Sequence, residues 1–177
     1  MPKPLLFDST PLIYLTRASL SKFLSDIPTE KITTQKVFNE VVEQGKKKGA
    51  PEASLLERLF KEQTIQLKSP ANKGYLKLVL EIASENEKQP LHEAEAEVLC
   101  LAKECQGIAI ADDKAVRAVA RLLEIEVHGT GYLLGKLFMA KKLTKGELIE
   151  KIDEMRSAGW RVSPEDYLKI TSYLMGL

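Results

Sequence analysis

The sequence predicts an α/β fold of three layers, α/β/α, with a central parallel sheet between helices and a helical C-terminal tail. Three observations predict it. Short apolar runs alternate with helical periodicities along most of the chain, the pattern of parallel strands joined by crossover helices. The run Ile108-Ala109-Ile110-Ala111 is apolar at every position, as a strand buried on both faces requires. Acids close two of the runs, Asp8 after Leu5-Leu6-Phe7 and Asp112-Asp113 after Ala111. Ligands of open α/β sheets bind at such carboxyl ends.

Taken in order, Leu5-Leu6-Phe7 is the first strand. Thr10-Pro11 opens a helix-like stretch through Leu15, because proline's missing N–H costs nothing in a first turn. A short segment covers Ser19 to Leu24. Ile32 and its Thr neighbours form a second strand, and the helix from Gln35 to about Lys46 puts Val37, Phe38, Val41 and Val42 on one side. Pro51 opens a helix to Glu62, with Leu55, Leu56 and Leu59 as its core face. Thr64 to Leu67 reads as a strand and Asn72 to Glu85 as a helix. A long helix from about Glu93 to Cys105 precedes the Ile108 strand, and a helix from Lys114 to Leu123 follows it. Ile125 to His128 is a further strand, closed by Gly129. Tyr132 to Leu177 is mostly helical, with a turn at Ala158-Gly159-Trp160. Its Tyr132, Trp160, Tyr167 and Tyr173 are assigned to core or interface packing. No internal repeat, low-complexity tract or linker divides the chain, so one domain is expected over residues 1–177.

Composition narrows the function classes. With 26 Lys+Arg against 25 Asp+Glu the formal net charge is +1, which excludes a globally basic nucleic-acid binder and leaves only local clusters of cations. Cys100 and Cys105 are expected as reduced thiols, since residues five apart on a helix are rotated by roughly 140° and diverge. Met1-Pro2-Lys3-Pro4 is too short for a signal peptide, and no apolar run approaches the ~18 residues of a membrane span. A cytoplasmic location is therefore expected, without membrane association.

Aspartates after strands often cap the next helix, yet two such sites at one sheet edge point beyond capping. Glu95 lies three, four and seven residues before Val98, Leu99 and Ala102, so it extends a buried stripe. Glu93 lines up instead with Glu97, Cys100 and Glu104, a mostly polar side. Glu40 sits beside Val37 and Val41, on the flank of its helix's apolar face. Several carboxylates at one edge repel one another unless a cation neutralises them, and hard divalent ions such as Mg²⁺ or Mn²⁺ prefer carboxylate oxygens. Two Cys and two far-separated His give no zinc spacing. The chain also lacks a Gly-x-Ser-x-Gly elbow, a Gly-x-Gly-x-x-Gly turn and a Gly-Lys-Ser/Thr loop. Lys114, Arg117 and Arg121 recur at helical spacing after the acid pair, where they could contact substrate phosphates. Lys46-Lys47-Lys48 and Lys141-Lys142 read as solvated surface, and His92 as a weak helix-start residue.

These segments resemble a PIN domain, the metal-dependent ribonuclease fold of VapC-type toxins and of several RNA-processing nucleases. Phe7-Asp8-Ser9-Thr10-Pro11-Leu12-Ile13 is similar to the first motif and Val37-Phe38-Asn39-Glu40-Val41 to the second. Leu91 to Ala102, followed by Ile110-Ala111-Asp112-Asp113-Lys114, is similar to the third and fourth. In the third motif an acid stands three residues before a Val-Leu-x-Leu-Ala run, which is the place of Glu95. The likeness covers roughly residues 4–131, with His128-Gly129-Thr130 and Gly159-Trp160-Arg161-Val162-Ser163 similar to a microbial subgroup. Glu95 stands where many relatives have Asp, and Ala111 where many have Thr or Ser. The resemblance implies hydrolysis of RNA phosphodiester bonds with Mg²⁺ or Mn²⁺. Asp8, Glu95 and one or both of Asp112 and Asp113 would hold metal, and Glu40 would assist as a water-mediated ligand or in activating the nucleophile. RNA is the implied partner and, for toxin members, a small antitoxin protein; a homodimer is left open. A non-catalytic RNA- or protein-binding module is the second function class.

Overall fold

The computed structural model describes residues 2–85 and 91–176. Among the described residues there are five short strands: β1 (Leu5–Phe7), β2 (Lys31–Thr33), β3 (Gln66–Leu67), β4 (Ile108–Ile110) and β5 (Val127–His128). They form one parallel sheet in the order β3-β2-β1-β4-β5. The chain steps outward from β1 to β3 on one side, then returns to β4 on the other. The direction of winding therefore reverses between β1 and β4, and the crevice of such a sheet opens at their carboxyl ends. Leu5, Leu6 and Phe7 lie opposite Ile108, Ala109 and Ile110, and all six are buried. That double-sided burial explains why both strands are apolar throughout rather than alternating. Thr33 is a polar exception that pays its way: its hydroxyl donates to the Phe7 carbonyl at 2.6 Å. Behind this pair Gly107 is required by space, because a Cβ there would stand 2.3 Å from Leu6 Cδ2 and 2.8 Å from the Pro4 carbonyl.

Helices flank the sheet. α1 (Ser9–Arg17) follows β1, and a 3₁₀ turn (Ser21–Asp26) leads to β2. The next helical run is interrupted. α2 (Gln35–Phe38) passes into a π-helical segment (Asn39–Gln44) and then α3 (Gly45–Lys47), with Thr34 capping its start by accepting from the Val37 amide. α4 (Glu52–Lys61) is followed, after β3, by α5 (Lys73–Ser84) and α6 (Glu93–Glu104). α6 packs across β1 and against α5, which is why Val98, Leu99, Cys100, Leu101 and Ala102 are all buried. α7 (Lys114–Leu122) joins β4 to β5, and α8 (Thr130–Met139), α9 (Lys145–Ser157) and α10 (Pro164–Gly176) form the tail. Among the described residues no helix is long and apolar enough to cross a membrane.

Two expectations change. The core face of α4 is Ala53, Leu56 and Leu59, whereas Leu55 is 53% exposed. Adjacent helical residues are about 100° apart, so Leu55 and Leu56 cannot both face the sheet. The strands at both edges are shorter than their apolar runs, because an edge strand pairs on one side only. Both cysteines are free thiols, and burial together with the Glu104 carboxylate pushes Cys100 up to about 12. Trp160 is buried, Tyr132 stacks on His128, and Tyr167 lies under the Arg156 guanidinium. The side chain of Tyr173 lies outside the described residues.

Leu56→Ala should cost about 2–5 kcal/mol of stability in urea denaturation, as full truncations in a packed core do. Leu55→Ala, one residue away, should stay within about 0.5 kcal/mol of wild type.

Candidate active site

Asp8 is the first residue beyond β1. Its amide donates to the Ile110 carbonyl at 3.0 Å, so the β1–β4 pairing continues one residue into the acid itself. Asp8 is 5% exposed and has the extended backbone of an N-cap, but its side chain makes no capping bond. The carboxyl group is pushed from 3.8 to about 7. Burial is the main cause, and the Glu95, Glu40 and Asp112 carboxylates add to it against the Ser9 amide. Asp8 is thus withheld from capping, buried, and within electrostatic reach of three other acids.

The remaining acids arrive from separate elements. Glu40 lies in the π-helical segment, and its carboxylate accepts from the Ser9 hydroxyl, next to Asp8. Extra residues of this kind inside a helix re-aim side chains and are frequent at functional sites. Glu95, in the first turn of α6, is half-buried and accepts from the His92 amide at 2.7 Å. Its pKa is raised by burial and by Asp113 and Glu40, against the opposing His92 amide. Glu93 and Glu97 on the same helix share Lys36 at 2.9 and 3.6 Å instead.

The acid pair divides its work. Asp113 caps α7, its Oδ1 accepting from the Ala115 and Val116 amides at 2.6 and 3.2 Å, and its Oδ2 accepts none of these bonds. Asp112 is bound on both oxygens. Oδ1 accepts from the Thr130 amide at 2.8 Å; Oδ2 accepts from the Thr130 hydroxyl at 2.6 Å and from Trp160 Nε1 at 2.9 Å. The Arg117 guanidinium approaches Oδ1 to 3.9 Å. Gly129 makes room for this, since a Cβ there would lie 2.0 Å from Arg117 Nη2 and 2.8 Å from Asp112 Oδ1.

Of the cations expected to meet phosphate, Arg117 is the one already engaged with protein groups. Its Nε donates to the Ala111 carbonyl at 3.1 Å and its Nη1 to Asp166 at 3.0 Å. Lys114 and Arg121 are exposed and have no ion pair among the described residues. Sequence reasoning assigned no site role to Thr130 or Trp160, which reach Asp112 from 18 and 48 residues away. A threonine at a helix start and a tryptophan after a glycine give no signal of a shared carboxylate partner.

The donor set is all carboxylate, which suits a hard divalent ion. Asp8 supports that fit, because a cation there would offset both its burial and the repulsion of its neighbours. As the side chains stand, no group of three or more His, Cys, Asp or Glu among the described residues closes around one point.

A family model described as DUF3368, a PIN domain, matches residues 4–175. No curated protein matches the chain. Among solved structures, the chain is similar to PAE2754 from Pyrobaculum aerophilum, with 18% identity and a TM-score of 0.52, over 78% of this chain and 99% of that one. At that identity the likeness concerns the fold.

The raised Asp8 pKa sets a pH dependence for the protein in chelator. In the unfolded chain Asp8 ionises near 3.8, and in the folded chain near 7. Between these values the folded state holds the extra proton, so rising pH costs stability, and the full cost is reached above about pH 7. Asp8→Asn lacks this penalty. Its stability advantage over wild type should grow from pH 4 to 7, to on the order of 4 kcal/mol at most, and then level off. Paired urea titrations at several pH values measure it. Thr130→Val should cost about 1–3 kcal/mol by leaving Asp112 short of a buried donor, read as a lower Tm.

Proposed function

The chain belongs to the PIN-domain family, and on that premise we propose that it is a metal-dependent endoribonuclease that hydrolyses RNA phosphodiester bonds. PIN domains are typically nucleases and generally use divalent metal ions. The observation that carries the reading is Asp8: buried, unused as a cap, and raised to about 7 by burial and three neighbouring acids.

In this reading Asp8, Glu95 and Asp113 hold Mg²⁺ or Mn²⁺. Asp113 is preferred to Asp112 as a ligand because it keeps an oxygen outside its capping bonds, whereas both oxygens of Asp112 are engaged. A bound divalent ion supplies activation of water at neutral pH and neutralisation of the leaving oxygen. Glu40, oriented by the Ser9 hydroxyl, receives the proton of the attacking water. Asp112 holds the β4–α7 turn rigid through Thr130 and Trp160 and adds negative potential at Asp8. The missing hydroxyl at Ala111 does not remove this support, because Asp112 is oriented from the tail. In the cell the reading extends to a toxin restrained by a small antitoxin protein.

The test is cleavage of a mixed single-stranded RNA pool by purified protein with Mg²⁺ or Mn²⁺. Asp8→Asn keeps the size of the side chain and removes its charge, and should lower turnover by on the order of 100-fold or more while the protein stays folded. Either ion should raise the Tm of wild type and leave that of Asp8→Asn nearly unchanged. Equal cleavage by both proteins would reject the assignment, and metal binding without cleavage would favour the non-catalytic module. Induced expression should arrest growth with wild type and not with Asp8→Asn if the toxin role holds.

A further inference from the structure

A groove of about 1230 Å³ reaches Asp113 and lies between one side of α7, the loop before α8 and the N-terminal half of α10. Four exposed cations line it: Lys114 and Arg121 from α7, Arg161 from the loop after α9, and Lys169 from α10. None of the four has an ion pair among the described residues, whereas Arg117 between them is paired with Asp112 and Asp166. Of the acids in the wall, Asp112 and Asp166 are already matched by Arg117, leaving Glu165 and Asp113 itself. The wall also holds His128, 39% exposed on its side chain and stacked on Tyr132 with ring centroids 4.2 Å apart.

We infer that this groove binds single-stranded RNA running away from the acid cluster, with backbone phosphates on Lys114, Arg121, Arg161 and Lys169 and a base against His128. Unpaired cations along a groove combined with an aromatic face form the general device for holding a single strand without reading its sequence. The groove reaches Asp113, a proposed metal ligand, so a strand whose phosphate lies there has a cation-lined path to follow. The consequence is that the C-terminal tail, through Arg161 and Lys169, is part of the substrate site and not packing alone. This inference rests on the ribonuclease reading for the position of the reacting phosphate.

Binding is measured in chelator, so that cleavage plays no part, by anisotropy of a fluorescein-labelled 12-nucleotide RNA at several salt concentrations. The double variant Arg161→Gln/Lys169→Gln should bind on the order of tenfold more weakly, with a salt slope lower by about 1.4, two phosphates at about 0.7 each. Lys114→Gln/Arg121→Gln, on a different helix, should do the same, and guards against disturbance of Trp160 by the first pair. Lys47→Gln/Lys48→Gln, exposed cations outside the groove, should bind as wild type. Equal weakening by the control pair, wild-type affinity in both groove variants, or competition by polyglutamate as effective as by unlabelled RNA would each overturn the inference. Wild-type protein that cleaves RNA yet shows wild-type binding in the groove variants would sink the groove and leave the ribonuclease reading standing. Groove-dependent binding without cleavage by any metal would do the reverse.

Discussion

The pairing of β1 with β4 is the contact on which the site depends. Leu5, Leu6 and Phe7 align with Ile108, Ala109 and Ile110, and the Asp8 amide extends the ladder to the Ile110 carbonyl. This register places Asp8 at the same level as the turn carrying Asp112 and Asp113, although about a hundred residues separate them. A slip of one residue would turn each side chain to the opposite face of the sheet and carry Asp8 out of reach. Both strands are buried on both faces, so the alignment is held by packing on either side as well as by backbone bonds.

Against that rigid base the acids are in tension. Asp8 is desolvated and near three other carboxylates, which costs the folded state stability once the group ionises. The protein places the compensating contacts beside the cluster. The Ser9 hydroxyl holds Glu40, the His92 amide holds Glu95, and the first amides of α7 hold Asp113. Each of these acids has a local donor for one oxygen. Asp8 has the Ser9 amide and the deepest burial, and is the group that a cation would relieve most.

The C-terminal tail is tied to this centre by polar bonds. Trp160 donates its indole N–H to Asp112, and Asp166 receives Arg117, whose Nε in turn holds the Ala111 carbonyl. Hydrogen bonds to a charged partner contribute about 1.5–3 kcal/mol each, so the acid turn and the tail reinforce each other. On the other side, Arg17 of α1 binds Glu52 of α4 at 2.7 Å and approaches the Ala158 carbonyl at 3.4 Å. The turn before Trp160 is thereby fastened to the helix that follows Asp8.

The sequence by itself determined the element order and the parallel sheet, and it pointed to the candidate acids. These depend on local properties: apolar runs without alternation, and helical periodicity, which set Glu95 apart from Glu93 and Glu97. Where periodicity was ambiguous it misled, as at Leu55, because two adjacent leucines satisfy a helical stripe equally well until a neighbour chooses between them. Tertiary structure alone decided which acids are spent and which are spare. Asp112 and Asp113 are chemically identical neighbours, and the one became a fully bonded anchor only because Thr130 and Trp160 arrive from distant segments. Arg117 is engaged for the same reason, since the Ala111 carbonyl accepts from its Nε and Asp166 from its Nη1. Hydrogen bonds between residues far apart in the chain have no periodicity to betray them, because their partners are set by where the sheet and tail bring the backbone.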